Sequence, residues 1–198
     1  MDNKSIIQGV FRMKKRGFFS LKSVIIFAAL FIIMYTLISI KPFGTARLLE
    51  ITGGHNILDM EMRGYTADRA YEIFDALGEE GRAFDLSSII PIDFPFPLSY
   101  ALLYFVTLTF LTKRLFSKMK KPWLIGLIGL AAGLSDWLEN VMVIIMLKNY
   151  PNRLSGIAEI GSIFTQLKSL LITASMGLIA LGIILFILKT LFNRTKST

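Results

Sequence analysis

Hydrophobic positions along this chain gather in four long blocks instead of alternating with polar ones. The first block spans residues 23–40 and holds no charged residue, and the others span residues 91–112, 122–147 and 163–188. Each block is close to the roughly 20 apolar residues that a helix needs to cross a bilayer. The pattern predicts an all-α integral membrane protein, built as a four-helix transmembrane bundle.

The second block begins irregularly, because Pro95 and Pro97 stand at its start. Proline has no backbone N–H and its ring clashes with the preceding helical turn. The sequence therefore predicts a bent or non-helical start to the second span, followed by a regular helix.

Residues 41–90, between the first two blocks, are too many for a simple turn and too patterned for disorder. A helix is predicted from Thr66, as N-cap, to Gly78, as C-terminal stop. A second short helix is predicted over residues 79–90, ended by Pro91. One face of the first helix is apolar: Ala70, Ile73, Phe74 and Leu77. Such helices lie on the membrane surface or fold back over the bundle as a cap, and a plain connecting loop is the alternative.

The charge pattern predicts the orientation of the spans. The chain has a formal net charge of +8, and its Lys and Arg residues crowd residues 1–22, 113–121 and 189–198. Residues 41–97 carry ten Asp or Glu against five Lys or Arg, and the link 148–162 has few basic residues. Basic segments stay in the cytoplasm, so both termini are predicted to be cytoplasmic and residues 41–90 extracytoplasmic. A bacterial plasma membrane is the simplest location.

Composition excludes several classes of function. The basic residues lie beside apolar blocks, which favours membrane orientation over a nucleic-acid partner. The chain has no cysteine, so disulfides and thiolate chemistry are excluded. No GxSxG, P-loop, HExxH or dinucleotide motif occurs, and no cofactor is predicted.

The third block carries polar residues where lipid would be expected. One helix face is formed by residues at spacings of three and four: Gly126, Gly129, Gly133, Asp136, Asn140 and Val143. The Gly129–Gly133 pair is a GxxxG motif, which lets two helices approach closely. Glu139 lies about 60° round from Asp136, on the flank of this face. Both acids are predicted roughly 20–25 Å from the cytoplasmic link.

Similar polar faces are predicted in the other three spans. They comprise Asp93, Tyr100 and Tyr104 in the second span, Gln166, Ser169, Thr173 and Gly177 in the fourth, and Tyr35 and Ser39 in the first. Five of these residues fall in the outer half of their spans, at a depth similar to that of the acids: Tyr35, Ser39, Tyr100, Gln166 and Ser169. We therefore expect a polar pocket between the helices that opens outward, beneath residues 41–90.

The acids in this pocket are the candidate catalytic residues. A carboxylate in hydrocarbon costs several kcal/mol, so it usually marks a working site or a buried partner. Asp136 and Glu139 form a candidate acid–base pair. Candidate ligand-binding residues are Asn140, Tyr100, Asp93, Gln166, Ser169, Thr173 and Tyr35. The alternative is that the polar groups only bond the helices together. Lys168 is predicted to extend to the membrane interface rather than pair with Glu139.

The single histidine, His55, stands near Asp59 and Glu61. These three residues are weak candidates for metal ligands, with Asp93 as a fourth. One histidine with no second histidine or cysteine argues against a zinc hydrolase site. A carboxylate-rich Ca²⁺ or Mg²⁺ site stays open, although the spacing matches no calcium-loop motif, and no metal is predicted.

Three functions remain open from the sequence. The leading hypothesis is a pocket that binds a lipid-like or amphiphilic ligand. If the protein is an enzyme, it transforms this ligand by proton transfer, and Tyr100 orients the ligand. The first alternative is a non-catalytic subunit or assembly factor whose glycine face docks a partner membrane protein. The second is a small cation- or proton-coupled transporter that works as a homo-oligomer. Membrane lipids are the expected partners, and the sequence does not decide whether the protein is an enzyme.

Overall fold

The computed structural model describes residues 18–195, and side chains as far as residue 192. The described part is helical throughout, with helices α1 (Leu21–Ser39), α2 (Thr45–Ile51), α3 (Ala67–Phe84), α4 (Ile90–Asp93), α5 (Phe96–Leu115), α6 (Trp123–Asn149) and α7 (Ser155–Thr195). A 3₁₀ turn, Leu58–Met60, precedes α3, and a π-helical stretch, Asp85–Ile89, follows it. Most of the predicted basic N-terminus and the end of the tail lie outside the described residues.

Four helical regions are long and apolar enough to cross a membrane, as the sequence predicted. They are α1, the nearly continuous region Ala67–Leu115, α6, and α7 as far as Phe192. The last of them begins at Ser155, well before the apolar block at 163–188. A helix continues as long as its backbone hydrogen bonds do, so helix ends extend past the apolar positions that reveal them.

The irregular start of the second span involves more than its two prolines. The chain passes from α3 through the π-helical stretch into α4, and Pro91 stands inside α4 rather than ending a helix. The expectation that Pro91 stops the helix is wrong, because the π-helical stretch carries the helical backbone through Pro91 as far as Asp93. Asp85 and Asp93 are buried in this region.

Glycines allow α5 and α6 to pack closely. A Cβ atom added to Gly129 would lie 2.5 Å from Cβ of Tyr104, and one added to Gly133 would lie 2.8 Å from Cβ of Ala101. Both distances are too short for any larger residue, so the predicted close approach is present. Its partner is α5 of the same chain, which covers the glycine face.

Helix α1 lies at the edge of the bundle, where none of its residues is buried. Two ring pairs join this part of the chain to α5: Phe19, just before α1, lies 5.6 Å from Phe105, and Phe31 of α1 lies 5.9 Å from Phe96, centroid to centroid. The two helices are therefore antiparallel neighbours.

The segment 41–93 folds back over one end of α6 and α7. Its side chains form an apolar cluster together with side chains of α6 and α7. Leu58 and Phe74 of the segment and Met146 of α6 are fully buried in this cluster. Thr66 caps α3 by accepting a hydrogen bond from the backbone N–H of Arg69 at 3.1 Å. The predicted apolar face of α3 is buried in this cluster. We call this segment the cap segment.

At Gly78 the helix α3 kinks, because this glycine has a φ of 65°. This backbone conformation is open to glycine and strained for residues with a Cβ atom. The helical path resumes after it, so Gly78 interrupts the helix at the predicted position without ending the helical segment.

Candidate functional site

Polar side chains from five elements of the chain meet where the cap segment packs on the helices. We call this group the polar centre: Asp59, Asp93, Tyr100, Asp136, Glu139, Asn140, Thr165 and Lys168. Asp59 comes from the 3₁₀ turn, Asp93 from α4, and the others from α5, α6 and α7. Glu139 is fully buried, and of the whole group only Asp59 is partly exposed.

Lys168 stands at the middle of the polar centre. Its Nζ lies 2.6 Å from Oε2 of Glu139 and 3.3 Å from Oδ1 of Asp136, and it also contacts Oδ1 of Asp59. The prediction that Lys168 extends to the membrane interface is therefore wrong. A buried ammonium group is stable only beside negative charge, and three carboxylates supply it here.

Hydrogen bonds hold the remaining groups in place. The Tyr100 hydroxyl donates to Oδ2 of Asp136 at 2.8 Å. The Thr165 hydroxyl donates to Oε1 of Glu139 at 2.6 Å. In both cases a carboxylate bonded to Lys168 has a second, neutral donor on its other oxygen, which fixes its orientation.

Asp93 and Asn140 form the other side of the centre. The Asn140 side-chain amide donates to Oδ2 of Asp93 at 2.6 Å. One carboxylate oxygen from each of Asp59, Asp93 and Asp136 lies within 4.8 Å of those of the other two. The sequence placed Asp93, Tyr100, Asp136, Glu139 and Asn140 in one site, and the structure brings them together.

Tyr65, just before α3, also reaches toward the centre. Its backbone N–H donates to the hydroxyl of Ser162 at 2.8 Å. Burial, with the negative charge of Glu139 as the next cause, raises the pKa of the Tyr65 phenol. The hydroxyl therefore stays protonated at physiological pH.

The predicted polar face of α7 is wrong. Thr173 and Gln166 are exposed, Ser169 is half-buried, and the buried face carries Ala158, Gly161, Ser162, Thr165, Lys168 and Ser175. The Thr173 hydroxyl bonds its own helix at the carbonyl of Ser169, 2.8 Å away. Gln166 packs against Gly64 of the cap segment. Polar residues at helical spacing lie on both faces, and the charge of Lys168 decides which one turns inward.

Tyr35 of α1 does not reach the centre either, because it is 57% exposed. Its ring lies 6.0 Å from that of Phe31 of the same helix, centroid to centroid, at an angle of 34°. The Ser39 hydroxyl donates to the carbonyl of Tyr35 at 2.6 Å, within the same helix.

The three weak metal candidates of the cap segment are separated in the structure. Asp59 belongs to the polar centre, whereas His55 is exposed. Glu61 forms an ion pair with Arg69 at 2.8 Å. These residues do not form one ligand set.

Sequence reasoning missed Thr165 and Lys168 as members of the centre, and named Asp59 only as a weak metal candidate with Asp93. Lys168 had a usable signal, because it is a lone cation in an apolar block. The contact of Asp59 with Lys168 had none, because it depends on how the cap segment folds.

A small cavity of about 10 Å³, with space for about one water molecule, adjoins the polar centre. Its walls are formed by Ile57, Leu58, Asp59, Asp85, Ile89, Ile90, Asp93, Asn140 and Val143. This volume suits one water or one ion. Larger hollows of about 440 and 470 Å³ open elsewhere, on the surface of the cap segment.

In comparisons with protein-family models, curated proteins and solved structures, nothing matches this chain. The chemistry of the polar centre follows from its own residues. Three carboxylates, those of Asp59, Asp136 and Glu139, contact the ammonium group of Lys168, and a fourth, that of Asp93, lies beside Asp59 and Asp136. Buried carboxylates in such excess need further positive charge, which protons or a bound cation supply.

Proposed function

We propose that this chain is a multi-pass membrane protein with both termini cytoplasmic and the cap segment extracytoplasmic. Lys189 of α7 donates to the backbone carbonyls of Arg114 and Leu115 at the end of α5, at 3.0 and 2.9 Å. The basic link 113–121 and the basic tail therefore meet at one end of the bundle. The acidic cap segment lies at the other end, which is the arrangement favoured by cytoplasmic retention of basic residues.

Cysteine labelling tests this orientation cleanly, because the chain has no cysteine of its own. Ser117→Cys places a thiol in the basic link, and Glu79→Cys places one on the cap segment, both at exposed positions. In intact cells a membrane-impermeant maleimide should label the Glu79→Cys protein and leave Ser117→Cys unlabelled until the cells are opened. Labelling in the reverse order contradicts the proposed orientation.

We further infer that the protein binds a small cation, a metal ion or a proton, at the polar centre and works as a small cation- or proton-coupled membrane protein. The observation that carries this proposal is the excess of buried carboxylates around Lys168. Uncompensated charge in a membrane interior costs several kcal/mol and usually marks an ion or proton path. The adjoining cavity has the size of an ion and not of a lipid.

The cap segment gives this centre a means of controlling access. Asp59 is the partly exposed member of the group and lies on a turn of the cap segment, Asp93 is buried at the end of that segment, and Asp136 and Glu139 are held by α6. A cation arriving from the extracytoplasmic side meets Asp59 first. The ion pair between Asp59 and Lys168 then links cation entry to the position of the cap segment.

Ion flux into proteoliposomes tests the proposal. Vesicles carrying the wild-type protein should dissipate an imposed proton or metal-ion gradient faster than empty vesicles. Asp136→Asn should reduce the flux to the level of empty vesicles, because it removes a charge from the centre while keeping the shape of the side chain. Glu79→Gln, which neutralises an exposed acid of the cap segment, is the matched control and should leave the flux unchanged.

Absence of any proton or metal-ion flux with the wild-type protein overturns this function. The two other functions expected from the sequence then have their own signatures. A discrete lipid that purifies with the wild type and is lost from Asp136→Asn/Glu139→Gln indicates the amphiphile pocket. A second membrane protein that purifies with both forms indicates an assembly subunit, whose docking face must differ from the glycine face that α5 covers.

A further inference from the structure

We propose that the polar centre holds a site for a hard divalent cation of the Ca²⁺ or Mn²⁺ class, formed by Asp59, Asp93 and Asp136 with Asp85 in the adjoining wall. This inference rests on the proposed function and names the cation that the centre takes. Four separate observations carry it: the spacing of three carboxylates, the cavity beside them, the unpaired oxygen of Asp85, and the type of donor atoms present.

The spacing of the three carboxylates matches one shared ion. One oxygen of each lies within 4.8 Å of those of the other two. Oxygen atoms that bind the same Ca²⁺ at 2.3–2.6 Å are at most about 5 Å apart. The three residues come from the 3₁₀ turn, from α4 and from α6, so the tertiary fold and not local sequence brings them together.

Asp85 supplies the independent sign of a ligand. It is 1% exposed, and its Oδ2 has no hydrogen-bond partner among the described residues. Its side chain lines the same small cavity as Asp59 and Asp93. A buried carboxylate oxygen without a donor is costly, and a cation in this cavity satisfies it.

The donor atoms select the class of cation. The walls offer carboxylates and the amide of Asn140, with no histidine or cysteine. Oxygen donors of this kind suit Ca²⁺, Mg²⁺ and Mn²⁺. Mg²⁺ usually keeps several of its waters, and a cavity with room for about one water does not accommodate them. Cations that shed water more readily fit better.

Lys168 competes with this cation for two of its ligands. Its ammonium group contacts Asp59 and lies 3.3 Å from Oδ1 of Asp136. Asp85 and Asp93, in contrast, make no ion pair with it. A bound divalent cation therefore lies on the side of Asp85 and Asp93, away from the ammonium group, and shares Asp59 and Asp136 with the lysine. Cation binding then weakens the contact that fastens the cap segment to α7.

Equilibrium binding of ⁴⁵Ca²⁺ to the full-length protein in nanodiscs, after treatment with a chelator, tests the site. The wild type should bind one Ca²⁺ per chain. Asp85→Asn should weaken binding about tenfold or more, the lower end of what loss of a ligand or supporting group usually costs. We expect this variant to fold, because Asn has nearly the shape of Asp and Oδ2 of Asp85 has no hydrogen-bond partner among the described residues. Glu79→Gln should bind like the wild type.

Competition defines the class of cation independently of any variant. Mn²⁺ should displace ⁴⁵Ca²⁺, and Na⁺ at the same ionic strength should not. Equal binding by the wild type and Asp85→Asn, displacement by Na⁺, or no bound Ca²⁺ overturns the divalent site. Proton flux that persists in a protein without bound Ca²⁺ removes this inference and leaves the proposed function standing, whereas absence of all flux removes the function itself.

Discussion

Helices α1 and α6 are both apolar enough to span a membrane, but they occupy opposite positions in the bundle. The most apolar window of α1 has a mean hydropathy of 2.4 and no buried residue, whereas that of α6 has 1.5 and is 50% buried. The more hydrophobic helix is therefore the more exposed one. Lipid tails are as apolar as leucine, so in a membrane hydrophobicity does not draw a helix inward.

Small and polar residues determine which helix becomes central. Helix α6 buries Gly126, Gly129 and Gly133, which allow close contact with α5, and then Asp136 and Glu139, which find partners across the bundle. Helix α1 has no glycine and no acid. The comparison predicts that equivalent changes in the two settings have very different effects, and three pairs of variants test this.

Removal of the central lysine should have the largest effect. Lys168→Met leaves Glu139 and Asp136 buried without their cation, and loss of one partner of a buried ion pair costs about 3–5 kcal/mol. The same substitution at Lys22, an exposed residue of α1, should change the free energy of unfolding by less than about 0.5 kcal/mol. Unfolding in detergent with increasing SDS measures both. Equal stability of the two variants means that the lysine–carboxylate cluster contributes nothing to folding.

Enlargement of a glycine on α6 should come next. In Gly129→Leu the new side chain meets Tyr104 and the backbone of α5, where the Cβ atom alone would already lie 2.5 Å from Cβ of Tyr104. Overpacking of this kind costs about 1–3 kcal/mol, and occasionally more. Ala29→Leu adds a similar side chain to the exposed surface of α1 and should be nearly neutral. The same SDS unfolding experiment compares the two variants. If Gly129→Leu is as stable as the wild type, α5 does not pack against Gly129.

The features that the sequence predicts well are the local ones. Apolar blocks reveal four spans, and spacings of three and four reveal the face of α6 that carries Gly129, Asp136 and Asn140, because these patterns depend only on helix geometry. The capped, amphipathic α3 is also encoded locally, by Thr66 and the apolar residues that follow it.

The features that escape the sequence depend on contacts between distant segments. Asp59 reaches the centre only because the cap segment folds over α7, and no periodic pattern encodes that fold. On α7, Gln166 and Thr173 share one helix face and Thr165 and Lys168 share another, so helical spacing alone does not select the inner face. The decision comes from the carboxylates of α6, to which Lys168 is bound.

A single hydroxyl gives the smallest of the three effects and the most specific one. Tyr100→Phe removes the donor to Oδ2 of Asp136, a bond of 2.8 Å, and leaves the ring in place. Loss of a hydrogen bond to a buried charged group should cost about 1–2 kcal/mol, because Lys168 still bonds the other oxygen. Tyr35→Phe on α1 removes an exposed hydroxyl and should leave the unfolding transition unchanged. If both variants unfold like the wild type, Asp136 does not depend on Tyr100, and the two tyrosines differ in exposure alone. If only Tyr100→Phe is less stable, a single buried hydroxyl in the centre of the bundle contributes to stability, whereas an exposed hydroxyl on α1 does not.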